Sequence, residues 1–207
     1  MPNLTNVTLT EKAFDYKNDV TLKGSPHFIL LSRLDIGALA SIPGFPKHNP
    51  NANVCSLDDL LTLDSDVTEV IFNYRPLNSP SFTVLDLSRF KSVRRIVIGD
   101  ESFMYVNEVS IIGLRELESV QIGENCFTTH KNGYGTNSNG RFYLKNCPKF
   151  KSLKIGRNSF SDYSVCEIEN VNALESIEMG DLNDMDKYSW NFLYASLELK
   201  GFLIREE

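Results

Sequence analysis

The chain of 207 residues contains no stretch approaching 18 consecutive apolar residues, so no membrane-spanning helix is expected. Basic residues are also in short supply: 21 Lys and Arg stand against 27 Asp and Glu, a formal charge of −6. Phosphate contact needs basic surface, so nucleic acid is not an expected partner. Gly at 12 and Pro at 8 are ordinary, which excludes collagen-like and low-complexity chains. Of the four cysteines, Cys55, Cys126, Cys147 and Cys166, none forms a C-x-x-C pair, and the three histidines, His27, His48 and His130, lack metal-ligand spacing. Buried free thiols are expected and no metal site is. No phosphate-cradling G-x-x-x-x-G-K-[ST] occurs, and the Gly133-x-Gly135 run lacks the strand and helix of a dinucleotide fingerprint, so no cofactor is expected. The opening MPNLTNVTLT has neither the basic start nor the apolar core of a signal peptide. The expectation is a cytoplasmic protein, or an extracellular or cell-surface one if the chain is part of a longer protein. Two sequons, at Asn3 and Asn6, would matter only in the second case.

What the sequence does have is a repeat. The phrases RRIVIGDESF, ESVQIGENCF, KSLKIGRNSF and ESIEMGD place Gly99, Gly123, Gly156 and Gly180 at spacings of 24, 33 and 24. The longer middle spacing accommodates the polar run HKNGYGTNSNG. Each unit carries an apolar skeleton: Phe150, Leu153, Ile155, Asn158 and Phe160; Leu117, Val120, Ile122, Asn125 and Phe127; Val93, Ile96, Ile98, Glu101 and Phe103. Leu174, Ile177 and Met179 begin another, and Leu4, Leu31 and Val67 open three more upstream, seven candidate units in all. A second alternating phrase follows each first one, as at Val20 and Leu22, Leu85 and Leu87, Val109 and Ile111, Phe142 and Leu144, Cys166 and Ile168, and Leu197 and Leu199. Cys55 and Leu57 are expected to fill that slot in the second unit. Alternation with period two, broken by Gly or Asn, predicts two strands per unit.

The L-x-x-L-x-L-x-x-N-x-L matches make the chain resemble the leucine-rich repeat family. The Ile-Gly-x-x-Ser/Cys-Phe phrasing resembles its bacterial-surface-antigen-like subclass, found in protists and some bacteria. The resemblance implies a mainly β solenoid over residues 1–207, one domain of about seven coils of roughly 24 residues. A parallel front sheet and short β segments on the back are expected. It implies binding or scaffolding rather than chemistry, with some members of the subclass acting as adhesins.

On that architecture the outward residues of the front sheet become the expected protein-binding face. Ile71, Tyr74 and Val97 form its apolar centre, flanked by Arg94 and Arg95. Gln121 follows, then the basic Lys154 and Arg157, then the acidic Glu178. Three insertions are expected between first and second strands, at 43–53, 129–140 and 183–195. Their contact candidates are His48, His130, Tyr134, Tyr188 and Trp190, with the last loop either binding a partner or capping the final coil.

Catalysis needs a nucleophile and base within reach, or paired carboxylates at a cleft. Asp184 and Asp186 in a loop, and the cluster Asp58, Asp59, Asp64 and Asp66, read better as solvated or helix-capping residues, with Ser56 opening a short helix. The expected function is therefore non-enzymatic recognition of a protein partner, with no catalytic residue. The alternatives are a surface adhesion module binding host protein or glycan, and a hydrolase, which would require a pocket holding titratable residues.

Overall fold

The computed structural model describes residues 6–9, 20–22, 51–54, 56–63, 65–73, 77–130, 135–181 and 188–200. Their strands fall into two sheets in which every pairing is parallel. The front sheet has seven strands: β1 (Asn6–Leu9), β3 (Asn51–Val54), β4 (Glu69–Phe72), β6 (Arg95–Ile98), β8 (Ser119–Ile122), β10 (Ser152–Gly156) and β12 (Ser176–Gly180). The back sheet has six: β2 (Val20–Leu22), β5 (Val84–Asp86), β7 (Glu108–Ile112), β9 (Asn137–Lys145), β11 (Tyr163–Glu169) and β13 (Ser196–Lys200). From β4 onward the chain alternates between the sheets, one strand in each.

The apolar alternation decides which side chains enter the space between the sheets. In β4, β6 and β8 the second and fourth residues are buried, giving Val70 and Phe72, Ile96 and Ile98, and Val120 and Ile122. The back sheet answers with Leu85, Val109, Ile111, Phe142, Leu144, Cys166 and Ile168, all buried. Between the sheets runs a file of rings. Phe103, Phe127, Phe160 and Phe192 stack face to face at centroid separations of 5.2, 4.6 and 4.8 Å, close to the spacing of neighbouring strands. Each of these phenylalanines has positive φ, between 49 and 60°, and Glu101, Asn125 and Asn158 do the same two residues earlier. A bulky residue rarely adopts that conformation, so the packing of the ring stack holds it there. Asn158 helps by donating to Asn125 Oδ1 at 3.2 Å and accepting from the Trp190 N–H at 3.3 Å.

Gly156 illustrates how closely the turns approach. A Cβ there would lie 2.6 Å from the carbonyl carbon of Gly123, so the neighbouring backbone leaves room for glycine alone.

The short helix α1 (Leu57–Thr62) is the only helix among the described residues. Ser56 caps it with a reciprocal box: the Asp59 N–H donates to Ser56 Oγ at 3.1 Å, and the Ser56 N–H donates to Asp59 Oδ2 at 2.8 Å. At its other end Arg89 donates to the carbonyls of Leu60 and Leu61, satisfying groups that a helix terminus leaves open.

This architecture corrects the leucine-rich repeat assignment. That family sets a helical or 3-10 segment behind each strand, whereas here both phrases of a unit are strands, each hydrogen-bonded into its own parallel sheet. The strand order also departs from chain order at the N-terminal pair, although β3 to β12 and β5 to β13 run in sequence. The front order is β3-β4-β6-β8-β10-β12-β1 and the back order β5-β7-β9-β11-β13-β2, so the two N-terminal strands lie beyond the C-terminal ones. Asn6 pairs with Ser176, and Val20 with Leu197. The second unit also differs from expectation. Leu57 belongs to α1 rather than a back strand, and residues 51–53 of the expected first loop lie in β3. Cys55 and Leu31 are outside the described residues. The segment at 188–195 is not an end cap, because β13 pairs onward to β2 and Phe192 takes its place in the ring stack. Among the described residues, no helix is long and apolar enough to cross a membrane.

Candidate functional site

A cavity of about 360 Å³ opens where the chain enters the back sheet. It is lined by residues just ahead of β5 (Pro80, Thr83), just ahead of β7 (Met104 to Asn107), around the start of β9 (Thr129, His130, Thr136 to Ser138) and just ahead of β11 (Asp162), with Phe127 beneath. Three of these residues have a common origin. Tyr105, Thr129 and Asp162 each lie two positions after a ring of the stack, so the repeat delivers them to successive levels of one wall.

The centre of the site is an imidazole–carboxylate pair. His130 Nδ1 lies 3.0 Å from Asp162 Oδ2. Asp162 is 2 % exposed, and its Oδ1 has no hydrogen-bond partner in the structure, while the side chain of His130 is 42 % exposed at the cavity. Thr129 Oγ1 is also 3.0 Å from Nδ1. An ionised carboxylate can only accept, so the proton of this pair sits on Nδ1, and in the neutral ring Nε2 carries the free lone pair.

The backbone of His130 is clamped as well. Its N–H donates to Thr128 Oγ1 at 2.9 Å, and its carbonyl accepts from Ser161 Oγ at 2.7 Å. Thr128 and Ser161 are buried and bonded to each other at 2.8 Å, which closes a ring of bonds behind the imidazole. Gly135, at φ +122°, passes over the ring, where a Cβ would lie 2.5 Å from His130 Nε2. Only glycine serves there.

The rest of the described wall mixes uncharged polar side chains with the apolar Pro80, Met104, Val106 and Phe127. Asn137 Nδ2 donates to Asn107 Oδ1 at 2.7 Å, joining the starts of two strands. Tyr105 is 36 % exposed at the rim. Beneath, the Tyr163 hydroxyl donates to the Val106 carbonyl at 2.6 Å, and burial holds this phenol well above its ordinary pKa. Among the described residues, no Lys or Arg lines the cavity.

Among the described residues proposed from sequence as contacts, His130 alone lines this cavity. His48, Tyr74, Tyr134, Asp184 and Asp186 are outside the described residues. Tyr188 is exposed, and Trp190 is half-buried away from the lining. The front-sheet candidates Ile71, Val97, Gln121, Lys154 and Glu178 share one row of paired positions. Their charged neighbours are paired along the sheet. Lys154 lies 2.9 Å from Glu178, Arg95 2.7 Å from Glu69, and Arg157 3.6 Å from Glu124. Arg94 is exposed at the sheet's entrance. Among the described residues, no cluster of three or more His, Cys, Asp or Glu could hold a metal ion.

Compared with known proteins, the chain matches no family model, no curated protein and no solved structure. No family is therefore assigned, and the expectation of a non-enzymatic leucine-rich repeat binding module is withdrawn along with the architecture it rested on. The expectation that the chain is not an enzyme is also corrected. A parallel-sheet core with a buried hydrogen-bond network, an aromatic file and a cavity holding a titratable pair is an enzyme-like arrangement.

Proposed function

We propose that the cavity at His130 binds a neutral, hydroxyl-rich ligand of the saccharide class, as a surface glycan would present. The observation that carries this reading is the composition of the wall. Amides, hydroxyls, one imidazole and the carboxylate paired with it converge beside a partly exposed Tyr105, and among the described residues no Lys or Arg lines the cavity to attract phosphate or carboxylate. Sugars offer hydroxyls that both donate and accept, matching Asn107, Asn137 and Ser138, and an apolar ring face that packs on a tyrosine. A volume of about 360 Å³ suits one or two sugar rings, at the lower end of small-ligand sites.

The test is isothermal titration of the protein with a panel of neutral and anionic saccharides. Binding is expected among the neutral ones. Tyr105→Ala should weaken it about tenfold, equivalent to ~1.4 kcal/mol. A panel without neutral binders, or equal binding by wild type and Tyr105→Ala, would overturn the proposal.

A further inference from the structure

We infer that His130 is a general base and that the cavity hydrolyses an ester on its ligand, such as an O-acyl group carried by a saccharide; this rests on the saccharide reading above. The geometry separates two tasks along one line of contacts. Asp162, buried and 3.0 Å from Nδ1, fixes the tautomer and orientation of the ring. Nε2, at the far side of the ring of a 42 % exposed side chain that lines the cavity, is left with its lone pair for chemistry. Clamping of the His130 backbone by Thr128 and Ser161 removes the freedom that would blur that aim.

The wall also selects among hydrolyses. Glycosidic cleavage uses two carboxyl groups flanking the bond, whereas among the described residues Asp162 is the only carboxylate in this lining, and it is already committed to His130. Ester hydrolysis needs one base, a water and donors for the developing oxyanion. The hydroxyls of Thr136 and Ser138 line the same cavity and can supply such donors.

In the step itself, Nε2 accepts a proton from water as the water oxygen bonds to the acyl carbon, giving a tetrahedral oxyanion. The intermediate collapses with cleavage of the bond between the acyl carbon and the sugar oxygen. The imidazolium returns its proton to that oxygen, releasing a free hydroxyl and a carboxylic acid. Asp162 stays ionised throughout and stabilises the imidazolium as a positioning residue.

The experiment follows acetate release from an O-acetylated neutral oligosaccharide, alongside titration calorimetry with its deacetylated form. Wild type should release acetate at neutral pH. His130→Gln should lose the rate by about 100-fold or more, as removal of a general base does. Asp162→Asn should lower kcat while KM stays within about twofold, because its effect is on the base and not on ligand contact. Lys154→Ala, on the front sheet, should match wild type. Binding of the deacetylated sugar without acetate release by wild type would overturn the inference and leave the saccharide reading standing. Acetate release that survives in His130→Gln would overturn it too. His130-dependent release without sugar binding would keep the catalytic assignment and remove the saccharide reading.

Discussion

Phe127 and Phe160 stack with centroids 4.6 Å apart and planes within 3° of parallel, although 33 residues of chain separate them. Both rings are fully buried and both backbones are left-handed. The contact unites the two energetic themes of the fold: rings spaced like strands, and a strained turn held by what it buries.

Truncating Phe127 to Ala should therefore cost about 3–5 kcal/mol, since it removes the ring from between two stacked neighbours and leaves a cavity. Urea unfolding of the variant measures this. A loss under about 1 kcal/mol would mean that the core collapses around the gap and that the stack is not a main source of stability.

Ser159 is the polar counterpart of the stack. Its hydroxyl accepts from the Cys126 N–H at 2.9 Å and donates to the Gly123 carbonyl at 2.7 Å, in a fully buried place. Ser159→Ala leaves both backbone groups unsatisfied and should cost about 1–3 kcal/mol for so small a change. The same denaturant titration reads it, with Ser79→Ala, whose hydroxyl meets Ser81 in an exposed place, as the near-neutral comparison.

The thiols should be silent in the native protein. Cys126, Cys147 and Cys166 are free and buried. Burial pushes the Cys126 thiol up to about 12, and raises Cys147 and Cys166 as well. The thiolate is the reactive form, so iodoacetamide at pH 8 should leave these three unmodified until denaturant is added. Peptide mass mapping decides the matter, and native labelling at any of them would contradict the burial described.

Lys145 gives a pH dependence with a definite sign. Burial pulls its pKa down, but the hydrogen bond and charge of Glu167 and the charge of Glu169 outweigh burial and raise it. A lysine raised in the folded state contributes its stability fully below the unfolded value of about 10.4 and loses it as pH rises through the folded value. The stability difference between wild type and Lys145→Met should thus be flat from pH 7 to about 10 and shrink above that. A difference that instead shrinks as pH falls from 8 to 6 would contradict the assignment.

How much of this was legible in the sequence differs by level. Period-two alternation at Val93, Ile96 and Ile98 marks a half-buried strand, because successive side chains must point to opposite faces. It says nothing about which strand lies alongside, so the placement of Asn6–Leu9 next to Ser176–Gly180 could not be read. An L-x-x-L-x-L spacing specifies strand and turn, and the second phrase a second strand, but neither is peculiar to one family, which is why the spacing pointed to the wrong one. Cys55 and Leu57 fit an alternating phrase, but the Ser56–Asp59 box outweighed two apolar residues and made a helix. Phe192 was hidden as a ring of the stack because the preceding insertion breaks its phase. In the candidate site His130 was legible only as a residue on an insertion. Asp162 read as an ordinary turn residue, although aligning the positions two after Phe103, Phe127 and Phe160 sets Tyr105, Thr129 and Asp162 in one column.

The imidazole NMR spectrum of His130 during titration with a neutral oligosaccharide decides between the cavity and the front sheet as the binding site. The chain has only three histidines, so His130→Gln assigns the signal. A saturable shift at His130, needing about tenfold more ligand in Tyr105→Ala, is the predicted result. An unmoved His130 signal, with ligand-induced shifts gathered instead on the front-sheet row from Ile71 to Glu178, would contradict it.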